Sequence, residues 1–496
     1  MKYPTLALGL KPLEVQGQLP QFVTGVTQDS RLVQPGNIFI ALKGGQAEGW
    51  DYVTEAHRRG AALIITAEPI SLDLDLPVIR VENIRQTLVR LACRIYQYPF
   101  RKLQLIGITG TNGKTSTTYF IRSILREAGY NCGLIGTIGY YNGRSWTPAN
   151  LTTPDIDALC RMLAEMVDNG CSFGVMEVSS HGLTLGRTDD IEFAAAGFTG
   201  LSLEHQDFHP SMDAYAAAKA QLFERLSRDS LAVVNVGNLW GRRMLEKCRS
   251  RVITYSRNHN EADLIVKPLS ATLKGSRFQL AGKDLQLEIA TPLIGGFQGE
   301  NIALAVGLTW GLGIPEAALA KGIAAVKTVA GRMERVDCGQ PFGVLVDYSH
   351  TPDALENALK SLRPLCPGRI IAVFGAGGNR DRAKRPLMGQ VVANLADRVI
   401  ITSDNPRFED PLAIIDDILN GIADDKLKNV TIEPDRGNAI GCAVNEAQDD
   451  DIVLIAGKGH ENYIEVKGSR SHFDDRETAA FWLRRAGWTN YSGATT

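Results

Sequence analysis

The stretch ITGTNGKTS, residues 108–116, carries a Gly-Lys-Thr triplet of the kind that binds phosphate. The standard loop has glycine, four free positions and then Gly-Lys-Ser/Thr, but here Ile108 stands where the first glycine belongs. An apolar run precedes the triplet, and apolar residues at helical spacing follow it as far as Gly129. Such a strand-to-helix junction binds phosphate through backbone N–H groups, with Lys114 reaching the β/γ-phosphates and Thr115 facing Mg²⁺. A tight turn with a solvated lysine is the alternative.

Two later residues have side chains suited to a metal site. Glu177 ends an apolar run in VMEVSSHG, and a carboxylate there is costly unless it is solvated or paired with a cation. His205 ends another run in LSLEHQDFHP. His209 lies four positions later, but the Glu of a zinc-protease motif is missing, so zinc is not expected. Taken alone, each histidine also fits an ordinary structural role.

Reactive side chains recur where apolar, strand-like runs end. Ligands gather beyond the carboxyl ends of strands in open parallel sheets, so this repeated placement predicts one shared site. The residues in this position are Lys114, Glu177, His205, His350, Arg380, Asp404 and Lys458.

The apolar runs and helical patterns predict an α/β protein of three domains. Residues 1–100 mix short strands and helices, and residues 101–330 form a central parallel-sheet ATPase domain of the P-loop type. Residues 331–496 alternate strand and helix cleanly, which predicts a Rossmann-like doubly wound domain.

Composition excludes several function classes. The chain has 496 residues, 44% hydrophobic and 22% charged, with net charge -2, so nothing indicates a nucleic-acid partner. No apolar run approaches the ~18 residues of a membrane span, and the N-terminus is not a convincing signal peptide. The eight cysteines form no C-x-x-C pair, which favours buried reduced thiols in a cytoplasmic protein without membrane insertion.

The motifs together resemble the Mur ligases of peptidoglycan synthesis. The resemblance rests on GITGTNGKTST, MEVSSHGL, LSLEHQDFHPSMDAYAAAKAQLF, GGFQGENIALAV, GRMERV and VDYSHTPDAL, in order along nearly the whole chain. FGAGGNRDRAKRPLMG, SDNPRFEDP and GKGHE are most similar to members that add 2,6-diaminopimelate. The family loop, T-G-T-N-G-K-[ST], has an extra internal glycine in place of the standard first one, and Thr109 to Ser116 fits it.

The resemblance implies a reaction. ATP would phosphorylate the D-Glu γ-carboxylate of UDP-MurNAc-L-Ala-D-Glu, and an amine of meso-diaminopimelate would attack the acyl phosphate. Catalysis would rely on positioning and on cations that neutralise the transferred phosphoryl group. The implied metal ligands, for Mg²⁺, are Thr115, Glu177, His205 and Lys219. The implied catalytic residues are Lys114, Glu177, His205 and Lys219. The protein is expected to be a monomer.

A catalytic role for Lys219 is implied only by the resemblance to the family. On sequence alone it is an exposed lysine of the helix MDAYAAAKAQLFERL. The resemblance implies that it reacts with CO₂ to form a carbamate, which exchanges a cation for an anion able to ligate Mg²⁺. Carbamate formation requires the neutral amine, so the environment must lower the pKa of this lysine.

The resemblance also implies which residues bind each of the three substrates. ATP would contact Gly110, Thr111, Asn112, Gly113, Lys114, Thr115, Ser116, Asn301, Arg332, Asp347 and His350. The N-terminal domain would help bind the UDP substrate, whose contacts would be Ser30, Gly45, Gln46, Ala47, Thr152, Thr153, Ser179 and Arg187. Diaminopimelate would contact Arg380, Asp404, Asn405, Pro406, Arg407, Gly457 and Glu461. The planar fork of Arg407 suits the carboxylate that distinguishes diaminopimelate from lysine.

Some positions depart from the family, and other readings stay open. Leu151 stands where many relatives have Asn, Leu185 where some have a polar residue, and Asn379 where relatives often have Asp. NRDRAKR also fits a solvated basic surface. A lysine-adding ligase, a folylpolyglutamate synthase-like ligase and a non-catalytic scaffold are the alternative functions. FGAGGN lacks the third glycine of a dinucleotide-binding motif.

Overall fold

The computed structural model describes the chain except residues 1, 4–9, 43–48, 71–74, 203, 205–207 and 490–496. Helices alternate with largely parallel strands, which confirms the α/β class. Contacts divide the chain into two compact units, and the boundary at Gly107/Ile108 falls within one strand, Gln104–Thr109. The first unit is Met1–Gly107, Tyr130–Ala195 and Arg225–Ser230, and the second is Ile108–Gly129, Ala196–Glu224 and Leu231–Thr496. In the part of the chain described here, no helix is long and apolar enough to cross a membrane.

The N-terminal stretch builds one five-stranded sheet in the first unit. Its elements are β1 (Pro12–Gln16), β2 (Gly25–Thr27), β3 (Asn37–Ala41), α1 (Val53–Arg58), β4 (Leu63–Thr66), β5 (Val78–Val81) and α2 (Ile84–Ile95). The order is β1-β5-β4-β3-β2, with β1 antiparallel to β5 and the other pairs parallel. The parallel strands are apolar because both their faces are covered.

The central stretch contributes to both units. It contains β6 (Gln104–Thr109), α3 (Lys114–Glu127), β7 (Cys132–Ile135), β8 (Gly139–Tyr141), β9 (Trp146–Pro148), α4 (Ile156–Asp168), β10 (Phe173–Glu177), α5 (Ser180–Thr184), β11 (Ala195–Phe198), α6 (Met212–Glu224), β12 (Leu231–Asn235), α7 (Leu239–Met244), β13 (Arg251–Ser256), β14 (Leu264–Thr272), β15 (Gly275–Gly282), β16 (Gln286–Thr291), α8 (Gln298–Gly311) and α9 (Glu316–Ala325). The first unit has the strand order β10-β7-β8-β9, and the second has β16-β15-β14-β13-β12-β11.

The C-terminal stretch forms the sheet β17-β18-β22-β19-β20-β21 in the second unit. Its elements are β17 (Glu334–Arg335), β18 (Gly343–Asp347), α10 (Pro352–Leu362), β19 (Ile370–Phe374), α11 (Lys384–Leu395), β20 (Arg398–Ile401), α12 (Pro411–Leu419), β21 (Val430–Ile432), α13 (Arg436–Glu446), β22 (Ile452–Ala456), the hairpin β23 (Tyr463–Val466) and β24 (Ser469–His472), and α14 (Asp475–Arg485). All pairs except β17–β18 are parallel.

Alternate residues of this sheet pack into two separate cores. In β19, Ala372 and Phe374 face one core with the apolar sides of α10, α11 and α12. Ile371 and Val373 face the other, with the apolar sides of α13 and α14. Helices therefore cover both faces, as in a doubly wound sheet, and the polar loops gather at the carboxyl ends of the strands.

The cysteines are free thiols, as predicted. The prediction that they are buried is wrong for two of them. Cys442 is exposed and Cys248 is half-buried.

Candidate active site

The phosphate loop lies between β6 and α3. Gly110 has a φ of 143° and Gly113 a φ of 85°, which residues with side chains rarely adopt. A Cβ at Gly110 would collide with Thr199, and one at Gly113 would collide with Asn301. Both glycines are therefore required by the shape of the loop. Helix α3 begins directly afterwards, and the first N–H groups of a helix are free to bind an anion.

Two lysines converge on one carbonyl of this loop. Lys114 Nζ donates to the carbonyl oxygens of Gly110 at 2.9 Å and Thr111 at 2.7 Å. Lys219 Nζ, from α6, donates to the same Gly110 oxygen at 2.9 Å. The loop thus holds two amino groups beside each other.

Lys219 is buried, with 1% of its surface exposed, so the interpretation as an exposed helix lysine is wrong. Its Nζ lies 4.4 Å from the centre of the Tyr215 ring, whose hydroxyl is 3.2 Å from Thr111 Oγ1. Burial lowers the pKa of Lys219 well below its usual value, and the charge of Lys114 lowers it further. Glu204 opposes this shift. The surroundings therefore favour the neutral amine that carbamate formation requires.

Residues beyond 330 approach the phosphate loop within the second unit. Arg332 Nη2 donates to Thr115 Oγ1 at 3.0 Å, and Asn112 Nδ2 donates to Asp353 Oδ2 at 3.2 Å. His350 Nε2 lies 3.4 Å from Glu204 Oε1. The C-terminal region therefore contributes side chains to the loop's surroundings.

Three other predicted ATP residues have mainly structural contacts. Asn301 Nδ2 donates to Gln298 Oε1 at 3.1 Å, and Ser116 is buried in the first turn of α3. The Asp347 carboxylate accepts the backbone N–H groups of Met333 at 2.8 Å and Ser349 at 2.9 Å. Asp347 thereby fixes the segment that carries Arg332.

Glu177 and most predicted UDP-substrate residues form one network in the first unit. Glu177 Oε1 accepts the Thr137 N–H and its Oε2 accepts the Thr137 hydroxyl, both at 2.9 Å. Thr137 Oγ1 is 3.1 Å from Thr152 Oγ1, and Thr153 Oγ1 donates to the Glu177 carbonyl at 3.0 Å. Glu177 is 1% exposed, and these bonds are what make its burial possible. Its carboxylate is a hard oxygen donor, the ligand type that fits Mg²⁺.

The same network includes Ser179 and Arg187. The Ser179 N–H donates to Thr153 Oγ1 at 2.9 Å, and Ser179 Oγ caps α5. Arg187 Nη1 donates to the Thr153 carbonyl at 3.1 Å, and its Nε pairs with Asp155 at 2.8 Å. The structure therefore brings Thr152, Thr153, Ser179 and Arg187 together.

Ser30 lies at the start of a short helical turn next to β2. The preceding Gln28 donates its backbone N–H to Asp157 Oδ2 at 3.3 Å, which ties this turn to α4. The other predicted residues of this set, Gly45, Gln46 and Ala47, lie outside the described residues, as does His205.

Two loops at the ends of β19 and β20 are joined around Arg407. Arg407 Nη1 donates to the Gly378 carbonyl at 2.9 Å, and the Gly378 N–H donates to the Asn405 carbonyl at 2.9 Å. Asn379 Oδ1 accepts the Phe408 N–H at 3.0 Å. Asn379 has a φ of 51°, a left-handed conformation that Asn and Asp both tolerate, so the backbone does not explain this departure from the family.

A polar cluster lies next to Arg407. Asn405 Nδ2 donates to Glu461 Oε2 at 2.8 Å, and Lys458 Nζ donates to Asn405 Oδ1 at 3.2 Å. Burial acts to raise the pKa of Asp404, but the charges of Lys458 and Arg436 outweigh it, so this pKa is lowered. Arg436 is itself fully buried, in a pair with Asp475 at 2.7 Å. The cluster offers both charges needed to hold an amino acid.

Three other residues are predicted to bind diaminopimelate: Gly457, Pro406 and Arg380. Gly457 has a φ of 116°, and a Cβ there would crowd Asp404. Pro406 is buried, whereas Arg380 is exposed. The solvated-surface reading of NRDRAKR holds for Arg380 and is wrong for Arg385, which is fully buried.

Leu151 and Leu185 are the other two positions that depart from the family. Their backbone carbonyls accept hydrogen bonds from side chains of the protein itself. The Leu151 carbonyl accepts the Tyr140 hydroxyl at 2.6 Å, and the Leu185 carbonyl accepts the Arg85 guanidinium.

Several residues at these sites are not among the predicted site residues, although Asp353, Glu204 and Lys384 lie inside the motifs quoted above. Asp353, Glu204 and Lys384 surround Asn112 and His350, and Lys384 Nζ donates to the His350 carbonyl at 2.9 Å. Glu465 contacts Arg407 and Asn405 from the β23–β24 hairpin. The hairpin has only a weak signal in the sequence, the glycine of Lys467-Gly468, because a two-residue turn of this kind needs positive φ at both positions and Lys is not a usual residue there.

Family models match three successive segments of the chain. They are "Mur ligase family, catalytic domain" at residues 22–96, "Mur ligase middle domain" at 108–309, and "Mur ligase, glutamate ligase domain" at 331–459. The chain belongs to the Mur ligase family.

Three similar proteins illustrate the relationship. The UDP-N-acetylmuramoyl-L-alanyl-D-glutamate–2,6-diaminopimelate ligase of Solibacter usitatus (strain Ellin6076) is 43% identical, covering 94% of each chain. A solved structure of a ligase with that name is 32% identical, with a TM-score of 0.67, covering 98% of this chain and 99% of the other. The MurF ligase from Thermotoga maritima in complex with ADP shares the fold at 19% identity and a TM-score of 0.65, covering 93% of this chain and 97% of the other.

Proposed function

We propose that this protein is an ATP-dependent ligase that joins meso-2,6-diaminopimelate to the D-Glu γ-carboxylate of UDP-MurNAc-L-Ala-D-Glu. The carrying observation is Arg407, whose guanidinium donates to the Gly378 carbonyl and faces the Glu465 carboxylate, two residues along the chain from Asn405, which binds Glu461. A guanidinium next to a carboxylate matches a ligand end that has both an acidic and an amino group. The names of full-length relatives agree with this substrate.

The reaction needs ATP because an ionised carboxylate is a poor electrophile, whereas an acyl phosphate carries a good leaving group. A γ-carboxylate oxygen would attack the terminal phosphorus of ATP, and ADP would leave. The amine of diaminopimelate would then attack the acyl carbon, lose a proton and expel phosphate. Lys114, Arg332 and the N-terminus of α3 would hold the phosphates in this sequence, because positioning and charge supply most of the catalysis of phosphoryl transfer.

The remaining loop and interdomain residues would complete the ATP site. Backbone groups of Gly110, Thr111 and Gly113 would cradle phosphate, while Asn301, Asp347 and His350 would shape the surroundings. Mg²⁺ would be held by Thr115, Glu177, His205 and a carbamate on Lys219, and would neutralise phosphate charge. The lowered pKa of Lys219 supports the carbamate, because only the neutral amine reacts with CO₂.

The two substrates would bind at separate ends of the reaction centre. The network of Thr152, Thr153, Ser179 and Arg187 is suited to the nucleotide-sugar peptide, with Ser30 contributing from the N-terminal domain. Boundaries near residues 100 and 330 would separate the three domains. We also propose a monomer in the cytoplasm, where ATP and the nucleotide sugar are available.

One assay tests the proposed function. Phosphate release is measured with UDP-MurNAc-L-Ala-D-Glu, ATP and Mg²⁺, and with meso-diaminopimelate, L-lysine or no amine. We expect release that depends on diaminopimelate, with L-lysine weak because it lacks the carboxylate that Arg407 would bind. A preference for L-lysine would support the lysine-adding alternative, and no release with any amine would support the scaffold alternative.

A further inference from the structure

Arg407 has a strained backbone. Its φ of 53° lies in the left-handed region, which is unusual for a long side chain. Such strain persists only where the surrounding structure holds it, and it is frequent at functional sites. The source of that support is therefore informative about how the amine site is built.

The support comes from strand β23 of the C-terminal hairpin. The Arg407 N–H donates to the Glu465 carbonyl at 3.0 Å, and the Lys467 N–H donates to the Arg407 carbonyl at 2.6 Å. The Glu465 N–H donates to Asn405 Oδ1 at 2.9 Å. The loop that would bind diaminopimelate is thus paired with the hairpin in a single β-bridge between Arg407 and Val466, and Glu465 contacts both Arg407 and Asn405.

The Glu465 side chain adds a charge to these backbone contacts. Glu465 Oε2 lies 3.9 Å from Arg407 Nε, and both side chains are mostly shielded, at 17% and 19% exposed. Arg407 Nη1 is bound on its other side to the Gly378 carbonyl. The guanidinium is therefore held by one hydrogen bond and faces a carboxylate on its Nε side, an arrangement that favours one orientation of a fork that binds carboxylates.

Arg470 holds the same carboxylate from the solvent side. Arg470 Nη2 is 3.4 Å from Glu465 Oε2, and its guanidinium lies 4.3 Å from the centre of the Tyr463 ring. Glu465 consequently lies between two arginines, and its pairing with Arg470 favours the position beside Arg407.

We propose that Glu465 is a positioning residue of the amine site, which orients Arg407 toward the distal carboxylate of diaminopimelate. This inference rests on the proposed function. Diaminopimelate has two carboxylates and two ammonium groups, so its net charge is near zero at pH 7. Loss of the Glu465 charge would therefore not strengthen the long-range attraction between the protein and diaminopimelate. The affinity for diaminopimelate should instead change because Arg407 is less well oriented.

The test is the kinetics of Glu465→Gln in the full-length protein. We expect the KM for meso-diaminopimelate to rise about fivefold, the size expected for one partly shielded charge pair. The kcat and the KM values for ATP and the UDP-dipeptide should stay within about twofold, because the variant changes only the amine site. Since KM does not depend on the concentration of active enzyme, partial loss of folded protein would not produce this pattern.

Two further variants sharpen the result. Glu465→Asp keeps the charge and should recover part of the lost affinity. Glu477→Gln removes a charge that pairs with His472 of the same hairpin at an exposed position, and it should leave all constants unchanged. An unchanged KM for diaminopimelate in Glu465→Gln, or equal rises for all three substrates, would overturn the inference while the proposed function stands. A wild-type enzyme that prefers L-lysine would overturn both.

Discussion

At the residue scale, Lys219 raises the question of which charge its buried nitrogen carries. An ammonium in this position would lie beside Lys114, with both groups bonded to one carbonyl. Burial and the like charge both disfavour the ammonium, and their effects on the pKa act in the same direction. A carbamate would reverse the sign of the charge and turn the repulsion into attraction.

Lys219→Met tests this interpretation. Methionine has a similar volume and no charge to bury, so we expect a folded protein with an unchanged or higher thermal midpoint. Turnover should fall by at least about a hundredfold, because a group that would help hold the metal is removed. Wild-type protein in ¹³C-bicarbonate should show a carbamate carbonyl signal by NMR that the variant lacks. Lys247→Met, at a lysine 74% exposed, is the control, and normal turnover in Lys219→Met would refute the carbamate.

At the element scale, the anchoring of α11 to its neighbours holds the loops of the proposed amine site. Arg385 of α11 is fully buried, and it pairs with Glu409 at 2.9 Å and with Asp417 of α12 at 2.8 Å. Its Nη2 also donates to the Gly377 carbonyl at 3.2 Å. A buried arginine must be paired, so these contacts fix the two loops that flank Arg407 relative to both helices.

The pH dependence of stability reports on this anchor. The hydrogen bonds from Arg385 lower the pKa of Glu409 from 4.5 to about 2. The ionised form is therefore favoured by folding, and its contribution is complete above pH 4.5 and is lost as the pH falls toward 2. We expect Glu409→Gln to lower the thermal midpoint at pH 7 by roughly 2–4 °C, with the difference narrowing below pH 4.5. A difference that stays constant down to pH 2.5 would contradict this assignment.

The elements themselves differ in how well the sequence predicts them. β19 and β20 are continuous apolar runs, and the apolar pattern predicts both because burial on two faces requires it. In the hairpin, β23 is a short half-buried strand and β24 is polar and exposed, so hydrophobic patterning does not reveal it. Its importance comes from contacts with Arg407, which lies about 60 residues earlier in the chain.

At the scale of the whole molecule, residues far apart in sequence complete each site. Thr115 meets Arg332 from 217 positions away, and Asn112 meets Asp353 from 241. In the first unit, Asp157 of α4 accepts the Gln28 N–H from 129 positions away, next to the turn that carries Ser30. The N-terminal segment proposed to bind UDP is therefore held by a central helix.

Asp157→Ala tests that connection. We expect the KM for UDP-MurNAc-L-Ala-D-Glu to rise about threefold to tenfold, because the turn loses an anchoring acceptor of hydrogen bonds. The KM values for ATP and diaminopimelate should not change. Asp168→Ala, at an exposed position near the other end of α4, is the matched control. Equal effects of the two substitutions, or an effect on ATP alone, would show that Asp157 does not act through the UDP segment.

The sequence by itself determined the α/β class, the family and the phosphate loop, since these depend on local patterns and on motifs of adjacent residues. Gly110 and Gly113 illustrate this, because the conformation of a short loop is set by the residues within it. Only the tertiary structure decided that Lys219 is buried, that Arg385 is not a surface residue, and that Glu465 supports Arg407. Burial and pairing depend on what distant segments bring to each residue, and helical or strand periodicity carries no information about those partners.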